Sequence, residues 1–209
     1  MVSLGFIATI LTANFVSALS TAENGLASEC AEGKRTLHEF NDKLLVREEM
    51  ISFAETTVKE FNTTRCGLRV FGAPCNQFGL QEPGEGIEIL NSVEYVRPGN
   101  GFKPNFDLLV KRDVNGKKEN VLYTWLKLLC PNPTTLIGDP SELFYSPIRT
   151  TDITWNFEKF LIDHTGRPRK RYAPDFKPLD MKQDIQNLVQ ACLKGKQRNV
   201  IFQDLFDQV

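Results

Sequence analysis

The 209-residue chain has no Cys-X-X-Cys pair, no excess of charge of either sign, no internal repeat and no low-complexity tract. Five cysteines without that spacing (Cys30, Cys66, Cys75, Cys130 and Cys192) indicate neither a zinc site nor a small disulfide scaffold, and an odd count leaves at least one unpaired if the others bridge within the chain. A net charge of -1, from 25 basic and 26 acidic residues, gives no basic footprint for nucleic acid and no acidic excess for disorder. Beyond residue 20 no apolar run is long enough to cross a bilayer. What remains is an ordinary globular composition, 41% hydrophobic and 24% charged, with room for one domain.

The one long apolar stretch is at the start. Met1 to Ser20 carries Leu4, Phe6, Ile7, Ile10, Leu11, Phe15 and Val16, and Val16-Ser17-Ala18 supplies small residues suited to cleavage after Ala18. Residues 1–18 read as a secretory signal, although no Lys or Arg precedes the apolar run. Residues 19–35 then form a small, polar leader, 36–195 the domain and 196–209 a C-terminal extension. Secretion would give meaning to the glycosylation sequon Asn62-Thr63-Thr64.

Periodicity predicts a one-sided helix from Arg47 to Phe61, through Met50, Ile51, Ala54, Val58 and Phe61. Gly67 to Ala73 reads as a short buried strand delivering the Pro74-Cys75 turn, and Ile87, Ile89, Leu90 and Val93 mark an amphipathic stretch. A strand over Asp107 to Lys111 leads to Asn115-Gly116, a dipeptide suited to a tight reversal, and Val121 to Leu129 reads as a helix stopped by Pro131 and Pro133. Ile153 to Ile162, a break at Asp163-His164-Thr165-Gly166 and a return toward Tyr172 predict a hairpin. Met181, Ile185, Leu188, Val189 and Cys192 predict a closing helix, with Pro178 near its start and Gly195 after its end. Interleaved strands and helices make the class α/β.

Two polar clusters stand out, Pro74-Cys75-Asn76-Gln77-Phe78-Gly79-Leu80-Gln81-Glu82-Pro83 and the distant Trp155-Asn156-Phe157. Between them lie Tyr95-Val96-Arg97-Pro98-Gly99-Asn100-Gly101-Phe102 and Pro104-Asn105-Phe106. Together they resemble the glutathione peroxidases, from about Leu68 to Leu193, and Thr36 to Phe40 resembles the strand that opens that family's domain. The resemblance implies a thioredoxin-like fold and reduction of hydrogen peroxide or organic hydroperoxides by glutathione. Such chemistry needs an ionised thiolate or selenolate, held low in pKa by hydrogen-bond donors aimed at it. By resemblance the donors are Gln81, Trp155 and Asn156.

The attacking atom is missing. The family presents it after an Asn-Val-Ala-Ser strand, and no such segment exists here. Asn41 to Ser52 would have to replace a hairpin, a central parallel strand and the nucleophile-bearing turn, yet twelve extended residues reach at most about 40 Å. The N-terminal hairpin and one central strand are therefore read as deleted, either because a selenocysteine stop codon led to a skipped segment or because the chain truly lost it. Cys75 matches a cysteine that the family carries in addition to its reactive residue, and reads as a small buried thiol. Gly72-Ala73 also departs from the family's usual small residue followed by Phe.

The resemblance implies no metal and no dissociable organic cofactor. Glutathione carries two carboxylates, for which Arg97, Lys170 and Arg171 are the candidate partners; Ala173-Pro174-Asp175 stands where intracellular members often carry arginines. The loop from Tyr95 to Phe106 resembles that of tetrameric, glutathione-using members, implying a homotetramer with no nucleic-acid or membrane partner. The alternative function is a non-catalytic secreted binding or assembly subunit that keeps the scaffold.

Overall fold

The computed structural model describes residues 6–11, 27–43, 50–52, 66 and 68–206, with side chains described for 27–40, 66 and 68–194. Its strands are β1 (Phe6–Leu11), β2 (Ala27–Glu29), β3 (Asn41–Lys43), β4 (Met50–Ser52), β5 (Arg69–Pro74), β6 (Asp107–Leu108), β7 (Lys159–Ile162) and β8 (Pro168–Tyr172). The helices are α1 (Ile87–Asn91), α2 (Val121–Leu129) and α3 (Lys182–Phe206). Six strands form one sheet in the order β2-β8-β7-β1-β5-β6, while β3 and β4 pair only with each other. Strands and helices interleave, as the α/β reading requires.

The middle of the sheet differs from expectation. β1, inside the stretch read as a secretory signal, lies between β5 and β7, antiparallel to the first from Phe6↔Pro74 to Leu11↔Arg69 and parallel to the second from Ala8↔Lys159 to Leu11↔Ile162. The chain thus fills its central position with its own apolar N-terminal run, because two neighbouring strands leave unpaired backbone groups that must find partners. Thr36 to Phe40 is not a strand but a 3-10 turn at Leu37–Glu39, closed by the Glu39 carboxylate accepting from the Thr36 N–H at 2.8 Å. Met50 and Ile51, read as helical, lie in β4; 47–49 and 53–61, the rest of that predicted helix, fall outside the described residues.

The remaining elements follow the pattern of the sequence. β5 is buried from Phe71 to Pro74, so the Pro74-Cys75 turn leaves from inside the core. The Asn120 side chain accepts from the Leu122 N–H at 2.9 Å and starts α2, which buries Leu122, Tyr123, Trp125 and Leu126. Gly116 (φ 82°) closes the predicted reversal with Ser146 O only 3.0 Å from where a Cβ would sit, so a side chain there meets backbone. β7 and β8 form the predicted hairpin, though Ile153 to Glu158 precede it as an irregular segment. α3 continues through Gly195 to Phe206 rather than ending before it.

Four cysteines are bridged. Cys30–Cys130 ties the segment after β2 to the end of α2, and Cys66–Cys192 ties the chain ahead of β5 to α3. Cys75 is free and buried. The main core gathers Phe71, Phe78, Leu109, Leu126, Ile153 and Phe160, with Trp155 packed at its margin.

Candidate functional site

The two motifs meet. Across 75 residues of separation, Asn156 Nδ2 donates to Gln81 Oε1 at 3.0 Å. Trp155 lies beside them, half-buried, its ring 5.7 Å from that of Phe78 and its edge against Gly138. Gln81 and Asn156 are therefore brought together, with Trp155 next to Asn156 in the chain, and their placement follows from how each short segment is held.

Gln81 sits on a loop that turns through two left-handed residues, Gly79 (φ 60°) and Leu80 (φ 49°). A non-glycine residue in that region is strained and is kept there only by its surroundings. Asn76 Oδ1 accepts from the Glu82 N–H at 3.0 Å. Lys111 Nζ donates to the carbonyls of Glu82, Pro83 and Gly84 at 3.2, 3.2 and 2.7 Å. Burial pushes the Glu82 carboxyl up, and the Lys111 ammonium pulls the other way.

Trp155 and Asn156 sit on a second strained loop, with Phe157 at φ 65°. From one side, Asn115 accepts from the Ile153 N–H at 3.1 Å and donates to its carbonyl at 2.8 Å. From the other, Glu158 accepts from the Thr154 N–H at 3.0 Å and its hydroxyl at 3.2 Å. Glu158 is ion-paired with Arg171 and both side chains are fully buried. Burial pushes the Glu158 carboxyl up and the guanidinium opposes it. Asn115 is fixed in turn by Gln77, whose Oε1 accepts from Val114 N and Asn115 N at 2.9 and 3.0 Å and whose Nε2 donates to Asn115 O at 3.0 Å.

The expected glutathione contacts divide. Arg97 is exposed in the loop after α1. Lys170 is engaged with Asp184 at 2.9 Å and Glu29 at 3.2 Å. Arg171 is not at a surface: besides Glu158 it donates to the carbonyls of Cys130, Thr151 and Asp152 at 3.1, 3.0 and 2.9 Å. Its physical role is therefore to hold the Trp155-Asn156 loop, because it has no solvent-facing donor for a ligand carboxylate.

Cys75 is the one thiol outside a disulfide among the described residues, and it is not activated. It is 1% exposed, and burial pushes it up to about 12. A thiolate there would be unstabilised, so the site holds donors without an ionised sulfur.

The residues missed in the sequence were the supports. Gln77 and Asn76 lay inside a quoted motif, Asn115 was read only as a turn residue, and Lys111 and Glu158 carried no signal of their own. The backbone groups that the Gln77, Asn115 and Lys111 side chains bind lie 27 to 38 residues away, which one-dimensional spacing does not expose.

A sequence model described as glutathione peroxidase matches residues 27–127. The chain is similar to Glutathione peroxidase 1 of Mus musculus, 42% identical over 166 residues, 74% of this chain and 83% of that relative. It is 53% identical over 119 residues to Glutathione peroxidase 3 of Rattus norvegicus, 57% of this chain and 53% of the relative. Epididymal secretory glutathione peroxidase of Sus scrofa is 52% identical over 119 residues, 57% of this chain and 54% of the relative. The crystal structure of T. cruzi GPX1 aligns with 75% of this chain and 97% of its own, at 21% identity and a TM-score of 0.45.

Proposed function

The chain belongs to the glutathione peroxidase family, with its thioredoxin-like fold, and on that premise we propose that it serves the reduction of hydrogen peroxide or organic hydroperoxides by glutathione. The observation that carries this reading is the Gln81–Asn156 hydrogen bond beside Trp155, which unites two motifs far apart in the chain. Donors so arranged stabilise a chalcogen anion, the species that attacks peroxide oxygen. The anion itself has to come from a segment between Phe40 and Phe53, and the chain as it stands turns over slowly or not at all.

Two disulfides support an oxidising compartment, and we place the protein outside the cell; residues 1–18 would be released to act as its signal only in a chain whose restored central strand takes the place that β1 fills here. The names of its relatives point the same way for some and are silent for others. Exposed Tyr95 (70%), Val96 (69%) and Phe102 (49%) on the Arg97 loop support a homotetramer contact there. Arg97 and Lys170 remain the candidate contacts for glutathione.

The test is a glutathione-coupled peroxide assay on the purified chain. The expected rate with hydrogen peroxide is no faster than that of Trp155→Phe. A robust rate abolished by Cys75→Ser would overturn the reading of Cys75 as an inert core thiol. Sequencing the transcript across the codons for Phe40 to Phe53 should reveal an in-frame UGA; its absence would favour a non-catalytic subunit.

A further inference from the structure

The loop from Glu82 to Glu85 belongs to no helix or sheet, and Pro83 removes one of its N–H groups. The Glu85 carbonyl accepts from the Glu88 N–H at 2.9 Å, but those of Glu82, Pro83 and Gly84 have no strand to pair with. They are gathered by one atom. Lys111 Nζ has three consecutive carbonyl oxygens within 3.2 Å and the Glu85 carboxylate at 2.7 Å, and its side chain is 11% exposed. An ammonium's three donors rotate as a unit and can be shared among these four acceptors, whereas a guanidinium presents a planar fork.

The Glu82 residue is gripped at both ends, its N–H by Asn76 and its carbonyl by Lys111. Immediately upstream is Gln81, whose side chain must face Asn156 while the preceding two residues hold a strained turn. Releasing the Lys111 end leaves Glu82 held at its N–H alone, so that the segment following Gln81 can turn.

We propose that Lys111 is a positioning residue for Gln81: by knotting the 82–84 carbonyls it sets the direction of the Gln81 amide, and so keeps the donor pair with Asn156 assembled before any substrate arrives. Its importance for turnover rests on the peroxidase reading above. Its structural consequence does not, so the two can fail separately. Lys111 is accordingly excluded from the cations that would receive the carboxylates of glutathione, since its donors are spent on the loop.

The experiment follows the side-chain amide of Asn156 by NMR in the full chain, its signal identified by loss in Asn156→Asp. Lys111→Met keeps the aliphatic stem and removes the donors. It is expected to speed exchange of the Asn156 amide protons roughly tenfold, while backbone amides of Phe160 and Leu161 in β7 keep their protection. Glu85→Gln, which removes only the outer ion pair, is expected to leave the Asn156 signal unchanged. A folded Lys111→Met protein with an unaltered Asn156 signal overturns the proposal, even if its melting temperature falls, because a purely structural lysine predicts that pattern. If Lys111→Met does not fold, Lys111→Arg takes its place; a partial speeding supports the proposal and an unaltered signal overturns it.

Discussion

Two regions of the molecule stand in contrast. From β5 to β8 each segment that carries a donor is fixed by polar side chains, some local and some from other elements: Asn76 and Lys111 for Gln81, Asn115 and the Glu158–Arg171 pair for Trp155 and Asn156. Before β5 the described pieces are a single 3-10 turn, two three-residue strands that pair only with each other, and β1 and β2 laid onto a sheet organised by later strands. The contrast shows that the two loops carrying Gln81 and Asn156 are held by side chains of the same β5-to-β8 region. Their geometry depends on hydrogen bonds within that region, and the nucleophile is a separate part brought to it.

The severest way to break this comparison is to remove residues 1–18. That takes away β1, which contributes six cross-strand pairs with β5 and four with β7 in the middle of the sheet. The family resemblance calls for a central parallel strand, and β1 runs antiparallel to β5, so it occupies a position that the missing segment would fill in the opposite sense. The truncated chain is expected to lose its cooperative urea transition, followed by circular dichroism, since an open gap in a central sheet exceeds the roughly 5–15 kcal/mol that holds a domain together. A chain with the segment restored is expected to keep a sharp transition without residues 1–18. A sharp transition in the truncated chain as it stands would show that β5 and β7 hold together without β1.

A smaller but sharper effect is expected inside the supported region. Glu158→Gln leaves the Arg171 guanidinium buried without its counter-charge, and breaking such a pair costs about 3–5 kcal/mol. The double variant Glu158→Gln with Arg171→Met is expected to recover most of that loss, because both charges leave together. Urea denaturation of the three proteins measures it. A single variant that loses less than about 1 kcal/mol would mean that the loop carrying Trp155 and Asn156 holds itself, and the contrast with the N-terminal region would weaken.

Much of this half could be read in the sequence, and the reasons are local. α2 matched from Val121 to Leu129 because its apolar spacing and following prolines are signals carried by neighbours in the chain. The convergence of Gln81 with Asn156 came through resemblance alone, since no periodicity joins residues so far apart. Arg171 misled because a basic run at a hairpin looks solvated; strand alternation turned this one side chain inward, to a carboxylate thirteen residues away. The placement of β1 was illegible for another reason: Phe6 to Leu11 satisfies the hydrophobic requirement of a signal and of a core strand equally. Only the vacancy between β5 and β7 selects the strand.

The smallest effect concerns two buried groups that titrate in opposite senses. Burial drives Lys159 down to about 8 from 10.5, although its Nζ donates to the carbonyls of Ala173, Pro174 and Phe176 at 3.3, 2.7 and 2.7 Å. The unfolded chain therefore binds more protons at Lys159 between pH 8 and 10.5, so its contribution to stability is complete above 10.5 and is lost as pH falls through 8. Cys75 runs the other way: raised from 9.0 to about 12, it contributes stability that is complete below pH 9 and is lost as pH rises toward 12. Subtracting the stability profile of Cys75→Ala from that of the parent chain isolates the falling limb, and Lys159→Met isolates the rising one. The Cys75 limb decides the comparison between regions. If it is absent, and iodoacetamide alkylates the native thiol at pH 8 as fast as in urea, then the turn beside Gln81 opens freely to solvent and the donor end is as loosely held as the N-terminal region.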